Sequence, residues 1–152
     1  MILSSQNHIN MKPENSLIRF LDAQDQDYTR ALAEIKNGRK QSHWIWYIFP
    51  QISGLGYSST AVFYGIKDIQ EAEEYLRHPV LGSRLVETAK ALLEINGKTA
   101  NQILGNPDDL KVRSSMTLFN LLENTDPVFQ AVLDKYFNGI PDQRTLDLVK
   151  NT

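Results

Sequence analysis

The sequence predicts an all-α fold: a single compact domain of about seven or eight short helices, irregular rather than a simple up-and-down bundle. Three observations predict it. Apolar residues recur at i, i+3 and i+4 along most of the chain. No segment alternates apolar with polar residues as a half-buried strand does. Glycines and Asp-Pro or His-Pro pairs punctuate the pattern at short intervals. At 152 residues, with 41% hydrophobic and 22% charged side chains, the chain has ordinary globular usage, which excludes disordered, collagen-like and coiled-coil classes.

Residues 1–14 are polar and carry Pro13, and they read as a flexible leader, with the folded domain over 15–152. Leu17, Phe20 and Leu21, then Tyr28, Leu32 and Ile35, set out one or two helices, with a break near Asp25 and a stop at Gly38. The apolar run from His43 to Phe49, closed by Pro50, is too short for periodicity to separate strand from helix. Gln51 to Ser59 is a loop by its glycines and serines. Asp68, with Glu71 three residues on, caps a helix that runs to His78, which is expected to cap the last carbonyls. Pro79 opens the next helix, which carries Leu81, Leu85, Ala89 and Leu92 on one side and stops at Gly97. Thr99 to Leu104 is a short helix closed by Gly105, and Asp108 begins another that reaches about Glu123. Asp126 and Pro127 cap and open a helix from Val128 to Phe137, and Asp142 to Val149 forms a last turn or two.

The charge balance excludes further classes. Sixteen Lys and Arg against 18 Asp and Glu give a net charge of −2, which argues against binding nucleic acid by bulk electrostatics. No apolar run approaches the roughly 18 residues of a bilayer span, and no basic and apolar signal region opens the chain. The cytoplasm is the expected location, with no membrane partner. There is no Cys, and His8, His43 and His78 form no paired motif, so no metal site is expected.

Candidate chemistry gathers in the middle of the chain. Between Glu34 and Asp68 there is no acidic residue, yet the stretch holds Lys36, Arg39, Lys40 and Lys67 and seven of the aromatics, among them Trp44 and Trp46. Cations beside aromatic faces suit an anionic ligand with a planar ring; they equally suit an aromatic core with solvated helix-end charges. The loop Gly54-Leu55-Gly56 can turn successive backbone N–H groups toward an anion, or serve as a plain turn. His43 is the candidate acid–base group. Ser114 and Ser115 interrupt the apolar stripe of their helix and either bond back to it or line a cavity, with Lys111 one turn away. Asp109 is spaced to pair with Arg113.

These segments also form a recognisable order. Gly38-Arg39-Lys40-x-Ser42-His43-Trp44-x-Trp46-Tyr47-Ile48-Phe49-Pro50-Gln51, then Gly54-Leu55-Gly56, then Tyr75-Leu76-x-His78-Pro79-x-Leu81-Gly82-x-Arg84-Leu85 resemble the bacterial family of "domain of unknown function 1810". Asp108 to Lys111, Ser114 to Phe119 and Gly139-x-x-Asp142-x-x-Thr145-Leu146 complete the resemblance. It implies an all-α fold and a cytoplasmic bacterial protein, and no established activity.

The expected function is therefore an enzyme or binding protein that takes a small anionic, nucleotide-like molecule in a polar pocket. Lys40 and Lys111 would neutralise its charge, Trp44 or Trp46 would stack, Gln51, Ser114 and Ser115 would orient polar groups, and His43 would act as acid or base. No motif specifies a reaction, a cofactor or an oligomeric state. The alternative is a non-catalytic module that holds a protein or nucleic acid on the aromatic, acid-free 35–67 surface.

Overall fold

The helical spacing that begins at Leu17 runs on unbroken. In the computed structural model, which describes residues 13–151, one helix, α1, spans Pro13–Lys36. The break expected near Asp25 is absent because the polar residues there are either solvated or satisfied. Asp25 is exposed, and the buried Gln24 donates to the Tyr47 carbonyl at 2.7 Å and to the Tyr75 hydroxyl at 2.9 Å. The leader expected over 1–14 lies outside the described residues as far as Lys12, and Pro13 and Glu14 stand in α1.

The run left between strand and helix is a single helical turn, α2, Ile45–Ile48. Among the described residues there is no strand, only a bridge between Ile52 and Ile66 that closes the glycine loop. A helix not expected from the pattern, α3, Ser59–Tyr64, follows it, capped by the Ser58 hydroxyl; none of its residues is buried, so it leaves no apolar stripe to read. Helix α4, Ile69–Arg77, has Asp68 as its cap, as expected. His78 caps the last carbonyls of α4 as expected, its N–H donating to Glu74 and Tyr75 at 3.0 and 3.2 Å. Its Nδ1 also accepts from the N–H groups of Val80 and Leu81 at 3.1 and 3.2 Å, so the same residue caps the start of α5, Leu81–Leu93. Helix α6, Ala100–Leu104, carries a reciprocal Thr99–Gln102 capping box, and α7 spans Asp108–Asn120. Asp126 caps α8, Val128–Phe137, which ends at left-handed Asn138 and Gly139; Asp142 caps α9, Gln143–Lys150. None of the helices is long and apolar enough to cross a membrane among the described residues.

The core lies where α1, α5, α7 and α8 meet, with α2 and α4 closing its sides. A chain of aromatic rings crosses it, from Phe20 to Tyr75 at 5.1 Å, Tyr75 to Phe119 at 5.4 Å and Phe119 to Phe129 at 5.9 Å between centroids. Gly82 sets the corner between α4 and α5. A Cβ there would lie 1.9 Å from the Leu76 carbonyl oxygen, a backbone atom that cannot turn aside.

One buried carboxylate fixes the segment that carries the candidate site. Glu34, in the last turns of α1, accepts from the backbone N–H of Gln41 at 2.7 Å and of Ser42 at 2.9 Å, from the Ser42 hydroxyl at 2.6 Å and from the Trp44 indole N–H at 2.9 Å. Burial pushes its pKa up, but these four donors more than offset it and hold the carboxyl down at about 2, against 4.5 ordinarily.

Two outcomes follow from this packing. A carboxyl held below its unfolded pKa stabilises the fold above pH 4.5 and loses that contribution as pH falls toward 2, here about 3 kcal/mol. Urea unfolding at pH 7 and pH 2.5 should show Glu34→Gln weakened at neutral pH and the gap to wild type closing in acid. Gly82→Ala should lose about 3 kcal/mol or more, read from the urea midpoint, because the clash is with backbone.

Candidate functional site

The two segments singled out in the sequence do meet. Helix α7 begins at Asp108, whose carboxylate suits the helix start and faces the loop held by Glu34. Asp108 takes two ammonium groups: Lys40 Nζ at 2.7 Å on one oxygen and Lys111 Nζ at 3.2 Å on the other. Lys40 also donates to the Ser42 carbonyl and lies 5.0 Å from the Trp44 ring centroid. Lys111 lies 4.7 Å from the Trp46 ring centroid. Two cations share one carboxylate, so the cluster carries a net positive charge. The members differ in access: the Lys40 side chain is 7% exposed and Lys111 23%.

The individual candidate residues differ in exposure and partners. Trp44 is fully buried and its indole N–H is committed to Glu34, so it offers no ring face for stacking, and only the half-buried Trp46 does. The His43 side chain is exposed and makes no hydrogen bond or ion pair to a described residue; its carbonyl accepts from the Tyr47 hydroxyl at 3.3 Å. Gln51 is half-buried beside Trp46, with no partner for its amide among the described residues. Ser114 donates to the Leu110 carbonyl and lies 3.1 Å from an Asp142 oxygen, which joins α7 to the start of α9. Ser115 is fully buried, and its hydroxyl has no partner among the described residues. Asp109 and Arg113 do not pair: Arg113 donates to the carbonyls of Ile140 and Pro141, and Asp109 takes the amide of Asn101.

The concave surfaces lie elsewhere. An open cleft of about 920 Å³ runs along α5 to the turn at 124–127, past Lys36, Glu87, Lys90 and Asn124, and none of the candidate residues is among those lining it. Trp46 and Gln51 border a much smaller niche, of about 10 Å³, against the glycine loop. Through Trp46 the lysine–tryptophan cluster adjoins that niche, with Lys40 almost fully buried and Lys111 reaching the surface. Among the described residues no three His, Cys, Asp or Glu come together in a set that could hold a metal ion.

Two groups of residues escaped the sequence reading. Glu34 and Asp108, the acceptors that organise Lys40, Ser42 and Trp44, sit at a helix end and a helix start, where acidic residues are unremarkable. A second network joins α1 to α5: Arg84 donates to Gln24 at 3.3 Å, pairs with Asp25 at 3.7 Å and lies 4.8 Å from the Tyr28 ring centroid. The Tyr28 hydroxyl donates to Glu87, and burial with this contact raises its pKa.

The chain matches the family model described as "Protein of unknown function (DUF1810)" over residues 14–149. It is similar to a conserved hypothetical protein from Mycobacterium tuberculosis whose crystal structure is known, with 44% identity and a TM-score of 0.87, covering 90% of this chain and 97% of that one. No curated protein matches it.

The two serines of α7 should separate on substitution. Ser115→Ala removes a buried hydroxyl that has no partner, and thermal unfolding should show it neutral or more stable by about 1 kcal/mol. Ser114→Ala cuts the contact with Asp142 and should lose about 1 kcal/mol.

Proposed function

The chain belongs to the DUF1810 family, proteins of unknown function, and we propose that it binds a small anionic molecule with a planar, nucleotide-like ring on the face formed by Trp46 and Lys111. One observation carries this reading: Lys111 is the accessible cation of the cluster, placed over a half-buried indole and sharing its counter-ion with Lys40. An anion meeting Lys111 competes only with a carboxylate that has a second partner, and the ring of the ligand finds the indole beside it. Asp108 is then the stand-in that keeps both ammonium groups in place when no ligand is bound. Lys40, almost fully buried, positions Asp108 and adds to the local potential. Gln51 orients polar groups from beside Trp46, and His43, exposed on the preceding loop, is the candidate acid–base group if the ligand turns over. In this reading Ser114 supports α7 from inside through its contact with Asp142, and Ser115, buried without a partner among the described residues, makes no contact with the ligand. The cytoplasm is the proposed location.

A second reading has its own observation. Tyr57, Val62 and Phe63 are 84%, 64% and 57% exposed in the acid-free stretch, as a surface that holds a protein partner without turnover would require.

Thermal-shift titration with nucleotides, ADP-ribose-type compounds, sugar phosphates and inorganic phosphate tests the first reading. A ligand at ~100 times its Kd should stabilise the fold by about 2.7 kcal/mol, several degrees in Tm. Lys111→Ala should abolish the shift, and Asp108→Asn, which removes the competing charge but keeps an acceptor for Lys40, should tighten binding. No shift with any compound sinks this reading and favours the exposed aromatic surface.

A further inference from the structure

The glycine loop between α2 and α3 adjoins the cluster and is unused by it. Its start is tied to the residue beyond α3, Ile66, whose N–H donates to the Gln51 carbonyl and whose carbonyl accepts from Ser53 N–H, both at 2.8 Å. Beyond that clamp the backbone N–H groups of Gly54, Leu55 and Gly56 donate to no acceptor among the described residues. Gly54 has φ +104° and a Cβ there would meet the Leu148 side chain at 3.1 Å, while a Cβ on Gly56 would meet the Ala61 side chain at 2.9 Å, so both glycines lie in close contact with neighbouring helices, α9 and α3. Trp46, Gln51 and residues 54–56 border the niche of about 10 Å³, with Ile52, Ala61 and Tyr64 also in its wall, and it has room for one water-sized atom. The niche and the Lys111 ammonium therefore adjoin the same indole.

Resting on the anion-binding reading, we infer that this niche receives one oxygen of the ligand's oxyanion, held by N–H groups of residues 54–56 and the Gln51 carboxamide while Lys111 neutralises the charge. Successive backbone N–H groups in a glycine loop form a concavity that favours an anionic oxygen. The niche is too small for a ring, so the ring stays outside it against Trp46. The ligand class is a ring-bearing oxyanion, a phosphomonoester or a carboxylate, and the two sources are separable by simple probes.

The test is amide and indole NMR of the full ¹⁵N-labelled chain, titrated in parallel with phenyl phosphate, benzoate and inorganic phosphate. The amide signals of Gly54, Leu55 and Gly56 should move with the Trp46 indole signal and saturate at the same Kd, and whichever ring-bearing probe binds tighter names the oxyanion. Gln51→Leu should weaken that probe about tenfold. If Trp46 responds and is lost in Lys111→Ala while the loop amides stay still, the niche is overturned and the anion-binding reading stands. If neither Trp46 nor the loop responds to any probe at millimolar concentration, both are overturned.

Discussion

Four donors close on the carboxylate of Glu34, and the position of the loop from Arg39 to Trp44 depends on that convergence. Past the end of α1 at Lys36 the N–H groups of Asn37, Gly38 and Arg39 return to carbonyls of α1 and that of Lys40 reaches Ile103, which leaves the N–H groups of Gln41 and Ser42 in need of an acceptor. The buried carboxylate satisfies both of those N–H groups directly, takes the indole of a fully buried Trp44, and so lets the largest aromatic side chain enter the core with no unpaired donor. Removing the charge would loosen the loop, the tryptophan and everything aimed from them together.

The lysine–tryptophan cluster is a consequence of that anchoring. Once Trp44 is fixed, the backbone N–H of Lys40 reaches the Ile103 carbonyl at 2.7 Å, which ties the loop to α6, and α7 begins just beyond with Asp108 at its first position. The Lys40 side chain, confined between Trp44 and the new helix, has Asp108 and the Ser42 carbonyl as its acceptors. Lys111 reaches the same carboxylate from one turn along α7, and α2 carries Trp46 to where that ammonium lies. The positive charge left over is the product of a structural ion pair shared by one cation too many, and it stands at the boundary with solvent.

Earlier along α1 a different network does similar work for the core. Gln24 connects the Tyr47 carbonyl, the Tyr75 hydroxyl and Arg84, so three helices and α2 are registered against one buried amide. Glu71 does the same near the start of α1, taking the Ser16 hydroxyl, the Arg19 guanidinium and the Lys67 N–H, and these contacts hold its carboxyl below the usual range against the upward push of burial. The fold is thus pinned by satisfied polar groups between helices whose apolar stripes alone would tolerate sliding.

Periodicity and punctuation were enough to read most of the helices, because caps such as Asp68, Thr99 and Asp142 and stops such as Gly105 and Gly139 act within a few residues of themselves. The same local signals failed where the deciding partner is distant: α1 does not break at Asp25 because Gln24 is satisfied from Tyr47 and Tyr75, and α3 has no buried face to announce it. For the site, residue type drew attention to Lys40, Trp46, Gln51 and Lys111, and the meeting of their segments was legible as an expectation. That Trp44 is core, that Ser114 is a joint to α9, that Ser115 has no partner, and that Asp108 stands between the two lysines are matters of three-dimensional neighbours. Sequence by itself determined the helical class and the chemical types available; tertiary structure decided which of those groups face each other, because burial and hydrogen-bond partners belong to pairs of residues far apart in the chain.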